Sequence, residues 1–293
     1  MFRNHTSPPG YTLKYLARLA CQYIRNLRMP LMHFYVISHE RSGTHFLINT
    51  LNENLPIRAG MGTGDGSGTG WNNIGEWFGP YDNFTGSRNH IDEYNERNWH
   101  KGAHRNTIIK THSDAELFAI RFRKAPVVYI YRDPRDVMVS WFHYLNNRQF
   151  YINNPQVEDM RCDCFSTFIR RPVNGFLRYS YSESGNFKNV VERWAAHVSG
   201  WLNYPGTCIV KYEDLFYEPQ MVVKQVAAGL NLTPNKHVNP IPIDKSVSIL
   251  PRKGVVGDGT AVCSESDTDF IRKISGQYGL DWSILTGHGP GDQ

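Results

Sequence analysis

FYVISHERSGTHFL, residues 34–47, is the stretch on which the reading of the whole chain turns. Phe34–Ser38 is an apolar run of strand length, and Thr44–Leu55 then takes up helical spacing. Between them Gly43 allows close backbone approach, Ser42 and Thr44 offer hydroxyls, and Arg41 adds a permanent cation. A helix that begins at Thr44 points its first N–H groups back at this turn, an arrangement suited to a phosphate or similar anion. Ser-Gly-Thr also starts helices with no ligand, so on this segment alone both readings stand. A Walker A loop is excluded, because Gly43 is followed directly by Thr44 and position 38 is serine.

Outward from this stretch the pattern repeats. Thr107–Lys110 and Cys208–Lys211 are short strand candidates, the latter followed by a helix over about Pro219–Leu230. Pro126–Tyr131 is another strand, and a helix over Pro134–Leu145 follows it, with Asp133 as cap and proline in the first helical position. Strands separated by helix-length segments predict an α/β fold, a parallel β-sheet flanked by helices.

The 293 residues carry a net charge of +5, are 40% apolar and 13% aromatic, and contain no apolar run long enough to span a bilayer. A mostly disordered chain is thereby excluded, and so modest a charge gives no case for a nucleic-acid partner. Residues 1–30 form a basic extension without Asp or Glu, in which Leu13, Leu16, Ala17, Ala20, Ile24 and Leu27 share a helical face. Three readings stay open for it: a targeting segment, a helix in peripheral membrane contact, or a helix packed on the domain. One domain is expected over 31–286, with a glycine-rich and aromatic insert at 60–106 and a loose tail at 287–293. Glycine at every second position through 60–70 cannot satisfy GxGxxG and reads as flexible loop. The aromatic stretch Trp71–Trp99 suggests a lid, a pocket wall or surface packing, and 146–190 reads as polar and partly helical. Cys21, Cys162, Cys164, Cys208 and Cys263 form no CxxC pair and are expected to be reduced thiols in a cytoplasmic protein. His100 and His104 lack the Glu of HExxH and have Gly102 between them, so no metal site is expected there.

Two further segments carry chemistry. The Pro126–Tyr131 strand runs into Arg132, so the first polar side chain off its end is a cation, which favours a second phosphate over a metal. Ile108–His112 is a strand ending in Lys110-Thr111-His112. Strand carboxyl ends converge on the ligand crevice of a doubly wound sheet, where a histidine can take a proton and a lysine can balance developing charge. Most strand-end histidines are only solvated or hydrogen-bonded, and that reading also stands for His112 by itself.

Taken in order, these segments resemble the cytosolic-type sulfotransferases, which use 3′-phosphoadenosine-5′-phosphosulfate (PAPS) as donor. Arg41-Ser42-Gly43-Thr44-His45-Phe46 is similar to the family's first motif, and Lys110-Thr111-His112 is its Lys-Thr-His unchanged. Val128–Ser140 with the trailing Trp141–Tyr144 resembles its 3′-phosphate motif, and Arg252-Lys253-Gly254 its Arg-Lys-Gly element. Trp194–Trp201 and Tyr212–Leu215 resemble two more segments, so the matches span roughly residues 34–258.

The resemblance implies a P-loop-like sulfotransferase fold and a role for each matched position. Residues 41–45 would hold the 5′-phosphosulfate, while Arg132, Ser140, Arg252, Lys253 and Gly254 would hold the 3′-phosphate. Phe46 would stack on adenine, where the family usually has tryptophan, and Tyr212 would lie near the base. Lys110 and Arg41 would stabilise the transferring group and its leaving phosphate, and His112 would deprotonate the acceptor. It implies no metal and a small-molecule or glycan hydroxyl, or an amine, as acceptor. Arg41 departs from the usual lysine and cannot surrender a proton. Gly259 stands where the family has tryptophan, and the family's dimerisation pattern is not recognisable. A nucleotide-dependent kinase and a non-catalytic nucleotide- or anion-binding module of the same fold remain the alternatives.

Overall fold

A computed structural model describes residues 33–56, 72–73, 107–112, 114–122, 126–146, 161–172, 187–239 and 254–287. Alternation of apolar and strand-forming residues gives β1 (His33–Ser38), β3 (Thr107–Thr111), β4 (Val127–Tyr131) and β5 (Thr207–Lys211), with a short edge strand β2 (Asn72–Asn73). All pair in parallel, in the order β2-β3-β1-β4-β5. The expected strands are present with bounds within a residue or so, and β2 is an addition. It falls in the stretch read as lid or pocket wall, and two residues are too few to show a period.

Successive side chains of a strand point to opposite faces, and here both faces are buried. Phe34 and Val36 of β1 join Val128 and Ile130 of β4 on one face, under α1 (Thr44–Asn54) and α7 (Pro219–Gly229). Tyr35 and Ile37 join Tyr129 and Tyr131 on the other, packed against α2 (Ala115–Phe122), α3 (Pro134–Leu145) and α5 (Val190–Leu202). Trp141, Trp194 and Trp201 fill that second layer, and the Tyr129 and Trp201 rings stack with centroids 5.6 Å apart. The chain therefore leaves β1 toward one face through α1 and leaves neighbouring β4 toward the other through α3. At such a switch the carboxyl ends open a crevice between diverging connections, and this is where doubly wound sheets bind ligands.

Helix starts follow local chemistry. Asp133 accepts the Arg135 N–H at 2.8 Å with Pro134 in the first turn of α3, as the sequence predicts. α9 (Glu265–Gln277) begins with a Ser264–Asp267 capping box, and α5 is capped by Asn189. Between 146 and 190 the described helix is α4 (Phe165–Arg170), and α6 (Tyr212–Tyr217) leads directly off β5. α8 (Asp258–Val262) and α10 (Trp282–Thr286) complete the described helices. No described helix is long and apolar enough to cross a membrane. Cys162, Cys164, Cys208 and Cys263 are unpaired thiols. The basic extension over 1–30, residues 60–70, the aromatic stretch other than Asn72 and Asn73, His100, His104, Arg252, Lys253 and the 288–293 tail lie outside the described residues.

Candidate functional site

The turn after β1 is built to leave its polar groups facing the crevice. Arg41 (φ 69°) and Gly43 (φ 92°) both take left-handed backbone, and Ser42 N–H closes the turn onto the His39 carbonyl at 3.3 Å. A Cβ at Gly43 would lie 2.3 Å from Tyr212 Cδ2, so only glycine lets the Tyr212 ring lie against the turn. Gly43 is also the N-cap of α1 and brings no side-chain cap, so the helix opens on bare N–H groups. The buried Ser42 hydroxyl has no hydrogen-bond partner among the described residues. Thr44 Oγ1 lies 2.5 Å from Ser38 Oγ, tying the first turn of α1 to the end of β1. Phe46, half-buried, stands with its ring centroid 5.9 Å from that of Tyr212, and His45 is half-buried beside it.

The β4–α3 turn supplies the second cation. Arg132 donates to Asp136 Oδ2 at 2.8 Å and to the Val255 carbonyl at 2.6 Å, and its guanidinium sits 4.3 Å from the Tyr212 ring centroid. Its Nε is buried and without a partner among the described residues. Tyr212, from α6, thus lies between Gly43 and Arg132 and donates its hydroxyl to the Gly254 carbonyl at 3.2 Å. Asp136 holds the strap that follows, accepting the Gly257 N–H at 3.0 Å and the Gly259 N–H at 2.5 Å. A Cβ at Gly259 would meet the Arg135 and Asp136 backbone at 2.4 Å, so the strap lies against α3 too closely for any side chain at that position. Arg41 Nε donates to Ser140 Oγ at 3.1 Å, and its guanidinium lies 4.8 Å from the Tyr144 ring centroid. Arg41 therefore bridges the β1 turn and α3, two segments the sequence assigns to opposite ends of a nucleotide.

His112 stands at the carboxyl end of β3, buried at 9% exposure. Its Nδ1 lies 2.7 Å from the Ser38 carbonyl, an acceptor only, so Nδ1 carries the hydrogen and Nε2 is the basic nitrogen of the neutral ring. Lys110 is placed on β3 opposite Val36, and its side chain lies outside the described residues. Of the predicted site residues, Arg41 to Phe46, Arg132, Ser140, Tyr212, Gly254 and His112 gather at the carboxyl ends of β1, β3 and β4.

A set of buried groups not picked out from the sequence stands behind them. Arg193 of α5 grips Glu40 with both guanidinium nitrogens, at 2.8 and 3.1 Å, and donates to His39 Nε2 at 2.8 Å. One turn further, His197 accepts from the Tyr129 hydroxyl at Nδ1 (3.0 Å) and donates from Nε2 to the His112 carbonyl at 3.2 Å. Burial pushes His39 down to about 3 and holds His197 well below the usual histidine range, so both rings are neutral. Burial raises the Glu40 carboxyl, but the Arg193 guanidinium outweighs it and holds the carboxyl well below the usual carboxylate range. The signal available in the sequence was the pair Arg193 and His197 on the Trp194–Trp201 face of α5, polar residues where a core-facing helix wants apolar ones.

Comparison with known proteins places this geometry. Sulfotransferase 2A6 of Mus musculus is 25% identical over 136 residues, 44% of this chain and 41% of that protein, so this chain matches under half of that relative's length. The 3-beta-hydroxysteroid sulfotransferase of Cavia porcellus is 23% identical over 224 residues, 61% of this chain and 70% of that protein. In three dimensions the chain is similar to mouse sulfotransferase SULT7A1 complexed with PAP, with TM-score 0.52 at 17% identity over 84% of each chain. It is equally similar to retinol dehydratase in complex with retinol and PAP, with TM-score 0.52 at 17% identity over 91% of this chain and 87% of that one. Identities this low carry the fold and nothing finer. The sulfotransferase domain family, in turn, matches residues 31–248, from just before β1 to beyond α7, and with more than half its length matched the chain belongs to that family.

Proposed function

We propose that the chain moves a sulfuryl group from PAPS to the hydroxyl of a small-molecule acceptor, with His112 as general base. The observation that carries this is the fixed tautomer: Nδ1–H bound to the Ser38 carbonyl makes Nε2 the basic nitrogen of a histidine at the carboxyl end of β3. Support for the donor comes from the neighbours crystallised with PAP, the nucleotide left when PAPS has given up its sulfuryl group. The residues fit such a ligand. Ser42 Oγ and Arg132 Nε are buried donors without partners among the described residues, and Gly43 leaves room for close approach.

When bound, the donor supplies an electrophilic sulfur on an anionic leaving group. The N–H groups at the start of α1, with Ser42 and Thr44, would hold the 5′ end, and Arg132 with Ser140, Arg252, Lys253 and Gly254 would hold the 3′-phosphate. Phe46 and Tyr212 would pack on the base. Arg41 and Lys110 balance charge on the leaving phosphate, and His112 Nε2 takes the acceptor's proton. Fixed cations do here what magnesium does in kinases, so nucleotide binding is expected to survive chelation. The retinol and androsterone seen in complexes of retinol dehydratase favour a lipophilic alcohol as acceptor, with a sugar hydroxyl or an amine as the next classes to try.

The test is labelled-sulfate transfer from PAPS into a panel of alcohols, phenols, sugars and amines, beside PAP binding with and without EDTA. His112→Ala is expected to lose at least ~100-fold in kcat with PAP affinity kept. Equal loss of both would remove His112 from the chemistry, and binding without transfer to any acceptor would leave a nucleotide-binding module.

A further inference from the structure

The Glu40–Arg193 pair sits where a stabilising role explains little. Two full charges buried together are no better for stability than an apolar pair of the same volume, because desolvation offsets their attraction. Glu40 is 9% exposed and Arg193 2%. What such a pair does add, in a low-dielectric interior, is a field on the next titratable group.

That group is His112. It is clamped from two sides, by the Ser38 carbonyl on Nδ1–H and by His197 Nε2–H on its own carbonyl. Ser38 is followed by His39 and Glu40, and His197 lies one helical turn from Arg193 on α5. The His39 ring ties the two halves together, 4.9 Å from the Trp141 ring and 5.6 Å from that of His197. Among the described residues, the other titratable groups around this cluster are Tyr129 from β4, Asp114 ahead of α2 and His197 itself, with Arg41 next to Glu40 in the β1 turn. Of these, His197 is held neutral by burial, as is Tyr129, whose hydroxyl burial pushes well above its usual range.

We propose that Glu40 and Arg193 are positioning residues for His112: α5 holds the His112 backbone through His197, the Glu40 carboxylate supplies the counter-charge to the imidazolium formed there, and Arg193 limits how far that carboxylate acts. The proposal rests on His112 being the base. The proton moves from the acceptor hydroxyl to Nε2, making an imidazolium that later returns it to water. An anion nearby favours that imidazolium and a lone cation opposes it.

The two partners therefore act in opposite directions. In Glu40→Gln the cluster loses an anion and keeps the Arg193 cation, so the His112 titration midpoint falls, by roughly one pH unit. In Arg193→Met it loses the cation and keeps the carboxylate, so the midpoint rises. The rise is the smaller change, since burial without Arg193 pushes Glu40 itself toward protonation. The measurement is NMR titration of the His112 ring in the substrate-free full chain, read beside the acid limb of kcat/KM against pH. That limb is expected to move the same way as the ring. The double variant returns the midpoint close to its starting value. Shifts of the same sign, or none, overturn the proposal, since loss of a merely structural contact has no reason to reverse sign with the partner removed. If Arg193→Met does not fold, Arg193→Lys keeps the charge and loses the fork. A midpoint within a few tenths of wild type then supports the field, and one displaced as far as in Glu40→Gln overturns it. His112→Ala turnover judges the base separately, because the ring titration does not need catalysis.

Discussion

Burial pushes the Glu213 carboxyl up to about 7, although it accepts the Asp133 N–H at 3.0 Å and its second oxygen is buried without a partner among the described residues. A carboxyl whose folded value lies above its unfolded 4.5 binds more protons folded than unfolded between those two values. Its effect on stability is therefore nil below pH 4.5 and increasingly unfavourable as pH rises to about 7. Glu213→Gln is expected to gain on the order of 1–3 kcal/mol over wild type at pH 8 relative to pH 5. Urea denaturation of both chains at the two pH values checks it; a constant difference would mean that Glu213 is ionised throughout. At Gly43 the constraint is steric. Gly43→Ala combines left-handed backbone with a Cβ 2.3 Å from the Tyr212 ring, and about 1–3 kcal/mol of stability should be lost along with PAP binding. Calorimetry and a binding isotherm read the two effects separately.

At the scale of elements, the first turn of α3 organises more than itself. Asp136 draws Arg132 into place and holds the N–H groups of Gly257 and Gly259, so the 254–259 strap is fastened to the helix by one carboxylate. Asp136→Ala leaves Arg132 as a buried charge without its ion-pair partner, and about 3 kcal/mol or more should be lost. Hydrogen exchange at Gly257 and Gly259 should accelerate before that of the α3 interior; uniform acceleration would mean the helix itself had melted. Elements of this kind differ in how well a sequence announces them. The β1–α1 unit, the Asp133–Pro134 start of α3 and the Lys110–His112 strand end are local, each set by residues within a few positions of one another. The Asp136 strap, the Arg193 fork and the His197 bond to the His112 carbonyl join residues far apart in the chain. Pairing over that distance leaves no local period. Its only trace is polar residues on a face that should be apolar. Edge strand β2 escaped for the opposite reason: two residues are too short for any pattern.

For the molecule as a whole, the net charge of +5 is less informative than where the cations stand. Arg41, bonded to Ser140, and Arg132, set against the Tyr212 ring, both stand at the carboxyl edge of the sheet. A bisphosphorylated nucleotide held there would touch α1, α3 and α6 together, so its binding energy should oppose unfolding of the domain. At a hundredfold excess over Kd, PAP is expected to add about 2.7 kcal/mol of stability. Differential scanning calorimetry with and without PAP reads this directly. Arg132→Ala should abolish most of the shift, and an undiminished shift in that variant would move the nucleotide elsewhere.

The place of β1 in the sheet has a consequence for how the family's chemistry can diversify. β1 pairs with β3 across the run from 39 to 106, and the contact of Ser38 with His112 follows from that strand register. Closing a longer loop costs only about 0.6 kcal/mol per doubling of its length. A change in the length of the run that joins β2 to β3 therefore costs little in closure, and the register that joins Ser38 to His112 stays in place. A swap of residues 74–106 for the corresponding run of a relative is expected to leave PAP affinity unchanged, which a binding isotherm checks.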